Sequence, residues 1–178
     1  MGKKRWISAV SAVLLLALYA VIFLFSAQNG DTSGGISMRV SERCVEFINS
    51  ISGGQWTETM QHRLAVLFEH PIRKTAHFME YALMGCLVWG VWRPWRSRLG
   101  RIVIPWVFVS AAADEFHQLF VAGRDGNVLD VLLDTAGGCF GLLLCVAAER
   151  LAHRCMQKKK AKDKTDKVKS DKLIQKKL

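Results

Sequence analysis

The sequence lacks the paired cysteines of a disulfide-stabilised or zinc-binding protein. Its five cysteines are odd in number, and no CxxC pair occurs among them. Three of them lie inside apolar segments, so we interpret them as small packing residues. The sequence also lacks a GxSxG nucleophile motif and a glycine-rich loop that could cradle a phosphate. No established catalytic motif therefore fixes a reaction type.

Acidic residues are scarce relative to basic ones, with 15 Asp and Glu against 25 Lys and Arg and a net charge of +10. The chain is nevertheless 51% hydrophobic, so its charged and apolar residues must be segregated. The segment KKKAKDKTDKVKSDKLIQKKL at the end carries ten lysines. It predicts a disordered cytoplasmic tail over residues 153–178 that is attracted to anionic lipid. No stacking aromatics are interleaved with these lysines, so nucleic acid is not expected as a partner.

Four stretches are long and apolar enough to cross a bilayer. A hydrocarbon core of about 30 Å needs roughly 20 helical residues, and the candidate spans are residues 6–25, 72–92, 102–120 and 128–148. The first span contains no charge and is interpreted as a retained anchor. Pro71 is expected in the first turn of the second span, where its missing N–H costs nothing. The predicted fold is therefore an all-α integral membrane protein, a four-transmembrane-helix bundle within residues 1–152.

Basic residues close to the predicted spans orient the chain. Lys3, Lys4 and Arg5 precede the first span, RPWRSRLGR connects the second to the third, and the lysine tail follows the fourth. Because Lys and Arg are retained on the cytoplasmic side, both termini are predicted to be cytoplasmic. Residues 26–70 then lie outside, where two apolar patterns at helical spacing predict short amphipathic helices. These helices could lie on the outer leaflet or cap the bundle.

The polar residues of the four spans fall at one predicted depth, in the outer half of the bilayer. Helical spacing places several of them on common faces within each span. A charge that faces lipid at the bilayer centre costs about 3 kcal/mol, so we predict that they converge on a polar pocket opening at the outer face. The candidate binding residues are Ser26, Gln28, Lys74, Glu80, Tyr81, Gln118 and Arg124, and the candidate catalytic residues are His77, Glu115, Asp130 and Asp134.

Three kinds of chemistry are compatible with such a pocket. Its carboxylates and histidine could hold a divalent cation, although their spacing matches no metal-binding motif. A carboxylate and a histidine could act as general acid and base on a lipid head group. Alternatively, Lys74 and Arg124 could recognise a pyrophosphate or carboxylate without reaction. A purely structural role is the competing interpretation, for example an ion pair of Lys74 with Asp130 that joins two helices. Any cofactor is left open.

Three segments resemble the VanZ family: FSAQ, RKTAHFMEYALMG and DEFHQLFVAGRDGNVLDVLLDTAGGCFG. The resemblance extends from about Leu24 to Gly141 and excludes the tail and the outer segment. The family pattern falls on positions that the depth argument groups, namely Ser26, Gln28, Lys74, His77, Tyr81, Glu115, Gln118, Arg124, Asp130 and Asp134. This chain departs from the pattern at Asp134, where family members often carry Asn.

The resemblance implies a multi-pass protein of the bacterial cytoplasmic membrane, similar to a teicoplanin resistance factor that acts apart from D-Ala-D-Lac replacement. On this basis we expect the pocket to bind or modify a lipid-linked envelope precursor or the lipoglycopeptide itself. The alternative is a non-enzymatic envelope interaction or scaffold protein, whose outer helices and lysine tail dock partners.

Overall fold

The computed structural model of the protein describes residues 2–92 and 99–175, and every regular element within these ranges is an α-helix. This confirms the all-helical fold class. The basic residues Arg93, Arg96 and Arg98 of the predicted connector lie outside the described residues. The helices are α1 (Lys3–Ser26), α2 (Gly30–Ile51), α3 (Glu58–Trp92), α4 (Leu99–Gln118) and α5 (Val128–Gln175).

The chain forms two compact units, Met1–Leu142 and Leu143–Leu178. The first unit contains α1 to α4 and the first turns of α5, and the second contains the remainder of α5. The predicted disordered tail differs from the structure, because α5 is helical as far as Gln175. Alanine and lysine have high helix propensity, and a helix that continues an existing one needs no new nucleus.

Within the first unit, α3 is the central helix and packs against α1, α2 and α4. Its buried side chains Tyr81, Met84 and Val88 recur every three or four residues and form one stripe. Equivalent buried stripes on two neighbouring helices consist of Leu15, Leu18 and Ile22 on α1 and Val103, Val107 and Ala111 on α4.

In the first unit, α1, α3, α4 and α5 alternate in direction along the chain. Helices α1 and α4 run parallel, since Tyr19 contacts Ser110 and the rings of Phe23 and His117 lie 5.1 Å apart. Helices α4 and α5 run antiparallel, because Asn127 bonds to Glu115 at their connected ends and Gly138 lies against Val107 further along. As a result, the carboxyl ends of α1 and α4 and the amino end of α5 lie at one end of the bundle.

Glycines allow α3 and α5 to approach at backbone distance. A Cβ atom at Gly137 would overlap the carbonyl oxygen of Phe78, and one at Gly141 would overlap that of Ala82. The order of these pairs along the chain shows that the two helices run parallel. Close backbone approach of this kind is typical of helices packed through small residues in membranes.

Helix α3 corrects the predicted start of the second span. The sequence predicts a helix beginning at Pro71 and a separate amphipathic helix before it, but one helix of 35 residues contains Pro71 in its interior. A proline there removes one backbone hydrogen bond, at a cost of about 3 kcal/mol. Packing of α2 along the preceding turns offsets this cost: Ser41 Oγ donates to the carbonyl of Ala65 at 2.6 Å, and Ser37 Oγ donates to Glu69. Of the two helices predicted before the second span, the first corresponds to α2 and the second is part of α3.

The prediction of four spans is supported for two of them. Among the described residues, two helices are long and apolar enough to cross a membrane by length and composition, Arg5–Ser26 and Val128–Ala161. The corresponding parts of α3 and α4 do not meet this criterion. Both helices carry charged side chains, which lower the hydropathy: the second predicted span carries Arg73, Lys74 and Glu80, and α4 carries Arg101 and two adjacent carboxylates.

Candidate functional site

The loop between α4 and α5 is fixed by hydrogen bonds at its end. Glu115 Oε2 accepts a bond from the backbone N–H of Asn127 at 2.9 Å. Asn127 Oδ1 in turn accepts from the N–H of Leu129 at 3.0 Å, which satisfies one of the free donors at the start of α5. The buried carboxylate of Glu115 is therefore held at the entrance of α5, where the positive end of the helix dipole favours an anion.

The turn between α1 and α2 lies directly against this loop. Asn29 Oδ1 accepts from the N–H of Thr32 at 2.8 Å and caps α2. The N–H of Gly30 donates to the carbonyl of Ala122 at 3.0 Å. A Cβ atom at Gly30 would overlap the carbonyl of Gly123, whose own φ of +72° is in the left-handed region that favours glycine. Glycine at both positions thus permits the contact.

Arg124 joins the same loop to the end of α1. Its Nε donates to the carbonyl of Gln28 at 3.1 Å and its Nη2 to the carbonyl of Phe25 at 3.0 Å. Phe25 belongs to the last turn of α1 and Gln28 follows the helix, so the several N–H donors of one guanidinium bond to both. Burial lowers the pKa of Arg124 from its ordinary value, as does Arg73, whereas Asp114 and Glu115 raise it.

Other polar side chains connect neighbouring helices or turns. Lys74 Nζ on α3 forms an ion pair with Asp130 Oδ2 on α5. His77 Nδ1 lies 3.5 Å from Glu80 Oε2 one turn along α3, and Gln118 Nε2 donates to Asp114 Oδ2 at 3.0 Å. A purely structural role for the pocket residues predicts this ion pair of Lys74 with Asp130. The pair is present, and it joins α3 to α5.

A cavity of about 310 Å³ opens between these elements. It brings together most of the predicted site residues from α3, α4, the loop and α5, although the chemical roles assigned to them stay predictions. The predicted residues that line it are Lys74, His77, Glu115, Gln118, Arg124, Asp130 and Asp134.

Four predicted residues lie near the cavity without lining it. Ser26 and Tyr81 are buried, and neither hydroxyl has a hydrogen-bond partner among the residues that the structure describes. Gln28 contributes its main-chain carbonyl to Arg124, and Glu80 lies beside His77. These residues are thus placed around the site, and the structure does not bring them to its surface.

The cavity also includes polar residues that the sequence prediction omitted, His70, Arg73 and Asp125 among them. His70 was missed because the second span was predicted to begin after Pro71, whereas Arg73 lies inside that predicted span and was left out of the group of polar residues. The spacing along the uninterrupted α3 could have identified His70, since His70, Lys74 and His77 are separated by four and three residues and share one face.

The lining of the cavity is divided by burial into a floor and a rim. The floor consists of the buried residues Glu115, Gln118 and Asp134. Asp134 is 2% exposed, and its Oδ1 has no hydrogen-bond partner within the described ranges. A buried acceptor left without a partner costs about 1–3 kcal/mol. The rim consists of the exposed or partly exposed residues His70, Arg73, Arg124, Asp125 and Asn127.

Metal binding is not indicated by the geometry of the described part of the chain, where no group of three or more His, Cys, Asp and Glu side chains could hold a metal ion. The lining combines buried acceptors with cations nearer to solvent. Such an arrangement can bind a polar group by charge and hydrogen bonds, and the surrounding helices present apolar side chains to the exterior.

A helical bundle with membrane-length apolar helices and a mixed-charge cavity at one end defines a membrane-associated protein with an internal polar site. The sequence profile of the VanZ/LLP1 family matches residues 11–149, and the chain belongs to this family. No curated protein and no solved structure matches the chain.

Proposed function

We propose that the protein crosses the bacterial cytoplasmic membrane four times, through α1, the second half of α3, α4 and the first half of α5. The alternating directions of these helices support this topology. Lys3 to Arg5 and Arg101 belong to the helix ends opposite the cavity. Because basic residues are retained in the cytoplasm, the cavity then opens at the outer face.

The charged residues of α3 and α4 are compatible with this topology because several of them turn away from lipid. Lys74 is neutralised by Asp130, and Glu115 is 7% exposed. Meanwhile large apolar side chains such as Val13, Leu16 and Val109 are more than 60% exposed. A soluble protein rarely presents a continuous apolar surface of this kind, whereas acyl chains would cover it without cost.

The function we propose is binding of the polar head of an amphiphile, a lipid-linked envelope precursor or a lipoglycopeptide, in the outward-facing cavity. One observation carries this proposal: buried acids and partly exposed cations from α3, α4, the loop and α5 surround one cavity in a bundle whose exterior is apolar. An amphiphile could place its acyl chain against that exterior and its head group in the cavity. Through this binding the protein would support resistance to teicoplanin-type antibiotics.

A double substitution separates this proposal from the structural interpretation of the same residues. Replacing both members of a buried ion pair by apolar residues is often neutral or stabilising. Lys74→Met with Asp130→Leu should therefore preserve the bundle while removing two charges from the cavity. We expect a sensitive bacterial host that produces this variant to be as susceptible to teicoplanin as the host with an empty vector, whereas the unaltered protein raises the inhibitory concentration.

The matched control is Glu46→Gln, which removes a charge on α2 whose ion pair, within the described residues, is with the neighbouring exposed Arg43. This variant should retain resistance. Membrane levels and the detergent-solubilised elution profile of each variant measure folding independently. Full resistance in the folded double variant would reject the cavity as the functional site and favour a helix-joining role for the pair.

A further inference from the structure

The floor of the cavity has more hydrogen-bond acceptors than donors. Asp134 Oδ1 is buried without a partner in the described part of the molecule. Two donors of the lining are already engaged, because Lys74 is paired with Asp130 and Gln118 Nε2 donates to Asp114. A ligand group that reaches the floor and supplies a donor would satisfy this oxygen, and a buried carboxylate binds a charged donor most strongly.

The charges of the whole lining favour the same kind of ligand group. Four carboxylates line the cavity against three cations. Of the cations, Arg124 uses its Nε and one terminal nitrogen on backbone carbonyls. With His70 and His77 counted as neutral, the lining charges are Glu115, Asp125, Asp130 and Asp134 against Arg73, Lys74 and Arg124. A purely anionic ligand would thus enter a site with an excess of negative charge.

Arg73 is the rim cation with the most unused capacity. Its Nη1 lies 3.7 Å from Glu69 Oε1, beyond hydrogen-bond distance, and that oxygen already accepts from Ser37. A guanidinium has five N–H donors in a planar fork that fits a phosphate. The cavity consequently offers an anion-binding group at the rim and a cation-binding group at the floor.

We propose that the cavity recognises a head group in which a primary ammonium accompanies a phosphate ester, with the ammonium at Asp134 and the phosphate at Arg73. This assignment rests on the proposed function, head-group binding, and specifies its ligand class. A primary ammonium provides N–H donors to the floor, a quaternary ammonium has none, and a glycerol head group has no positive charge. Aminophospholipids and amine-bearing polyprenyl diphosphates share the required chemistry.

Native mass spectrometry of the full-length protein in detergent tests the assignment. Equimolar phosphatidylethanolamine, phosphatidylcholine and phosphatidylglycerol with identical acyl chains are added to delipidated protein. We expect phosphatidylethanolamine to be retained about tenfold more than either competitor, the change that one charge-assisted hydrogen bond produces. The mass of the lipid that copurifies before delipidation distinguishes an aminophospholipid from an amine-bearing polyprenyl diphosphate as the natural source.

Three variants assign the effect to individual residues. Asp134→Asn, which keeps the shape of the side chain, should abolish the preference for phosphatidylethanolamine over phosphatidylglycerol. Arg73→Met should reduce retention of all three lipids, and Glu46→Gln outside the cavity should change nothing. If Asp134→Asn does not fold, the comparison of the three lipids on the unaltered protein still decides the question.

The outcomes separate this inference from the proposed function. Equal retention of the three lipids that is lost in Arg73→Met would overturn the ammonium assignment and leave the cavity as a head-group site. Retention that neither cavity variant alters would overturn both, because the lipids would then be bound elsewhere on the apolar exterior.

Discussion

Arg124 connects parts of the chain that are 96 residues apart, through its bond to the carbonyl of Gln28. It also bonds to the carbonyl of Phe25 in the last turn of α1, and it lines the cavity. Its contribution to the site is thus twofold: it supplies charge, and it fixes the α4–α5 loop against the end of α1. Lysine cannot reproduce this arrangement, because an ammonium is a point donor and cannot span two carbonyls in a fixed plane.

We predict that Arg124→Met lowers the free energy of unfolding by about 1–2 kcal/mol, as expected for the loss of two partly exposed charged hydrogen bonds. Arg124→Lys should cause an intermediate loss. Thermal unfolding of the detergent-solubilised protein measures the change. The control is Arg43→Met, which removes an arginine that is 84% exposed and pairs with Glu46 on the surface of α2. Equal stability of the Arg43 and Arg124 variants would show that Arg124 does not hold the α4–α5 loop against α1.

The sequence predicts much of this site at the level of residue faces. Spacing within each helix groups Lys74 with His77, Glu115 with Gln118, and Asp130 with Asp134, and the structure places all six around one cavity. The pairing of individual partners is less accessible to such an argument. The bonds of Arg124 to α1 and of Glu115 to Asn127 depend on the path of a loop, which helical spacing does not determine.

At the scale of elements, α3 and α5 depend on glycine for their contact. The cluster of Gly137, Gly138 and Gly141 is visible in the sequence as a packing signal, and the structure assigns its partner as α3. The continuity of α3 through Pro71 could not be predicted in the same way. It depends on tertiary contacts from Ser37 and Ser41 of α2, and local signals around a proline favour a helix start.

Alanine substitutions of two helical glycines should have opposite effects on stability. At Gly141 the added Cβ atom would overlap the carbonyl of Ala82, so α3 and α5 must separate, and we predict destabilisation by about 1–3 kcal/mol. At Gly34 on α2 nothing lies within 4 Å, so alanine should stabilise the helix by about 0.5–1 kcal/mol. Unfolding in detergent measures both variants. A neutral Gly141→Ala would show that the two backbones are not in contact.

At the scale of the whole molecule, the number of membrane crossings determines where the cavity lies relative to the bilayer. Helices α1 and α5 satisfy length and hydropathy alone, whereas α3 and α4 carry charges that the bundle must shield. Composition therefore identifies the first and last predicted spans. The two middle predicted spans would be compatible with lipid only through the partners of their charges, which a hydropathy scale does not take into account.

Labelling of single cysteines distinguishes four crossings from two. In a cysteine-free background, Cys44 on α2 is external in both topologies and Cys155 is internal in both, so they serve as the two reference sites. Ser97→Cys, between α3 and α4, is internal only if both of these helices cross the membrane. We predict that an impermeant maleimide labels Cys44 in intact cells and reaches Ser97→Cys and Cys155 only after permeabilisation. Labelling of Ser97→Cys in intact cells would reduce the crossings to α1 and α5, and α3 and α4 would then lie outside the bilayer with the cavity.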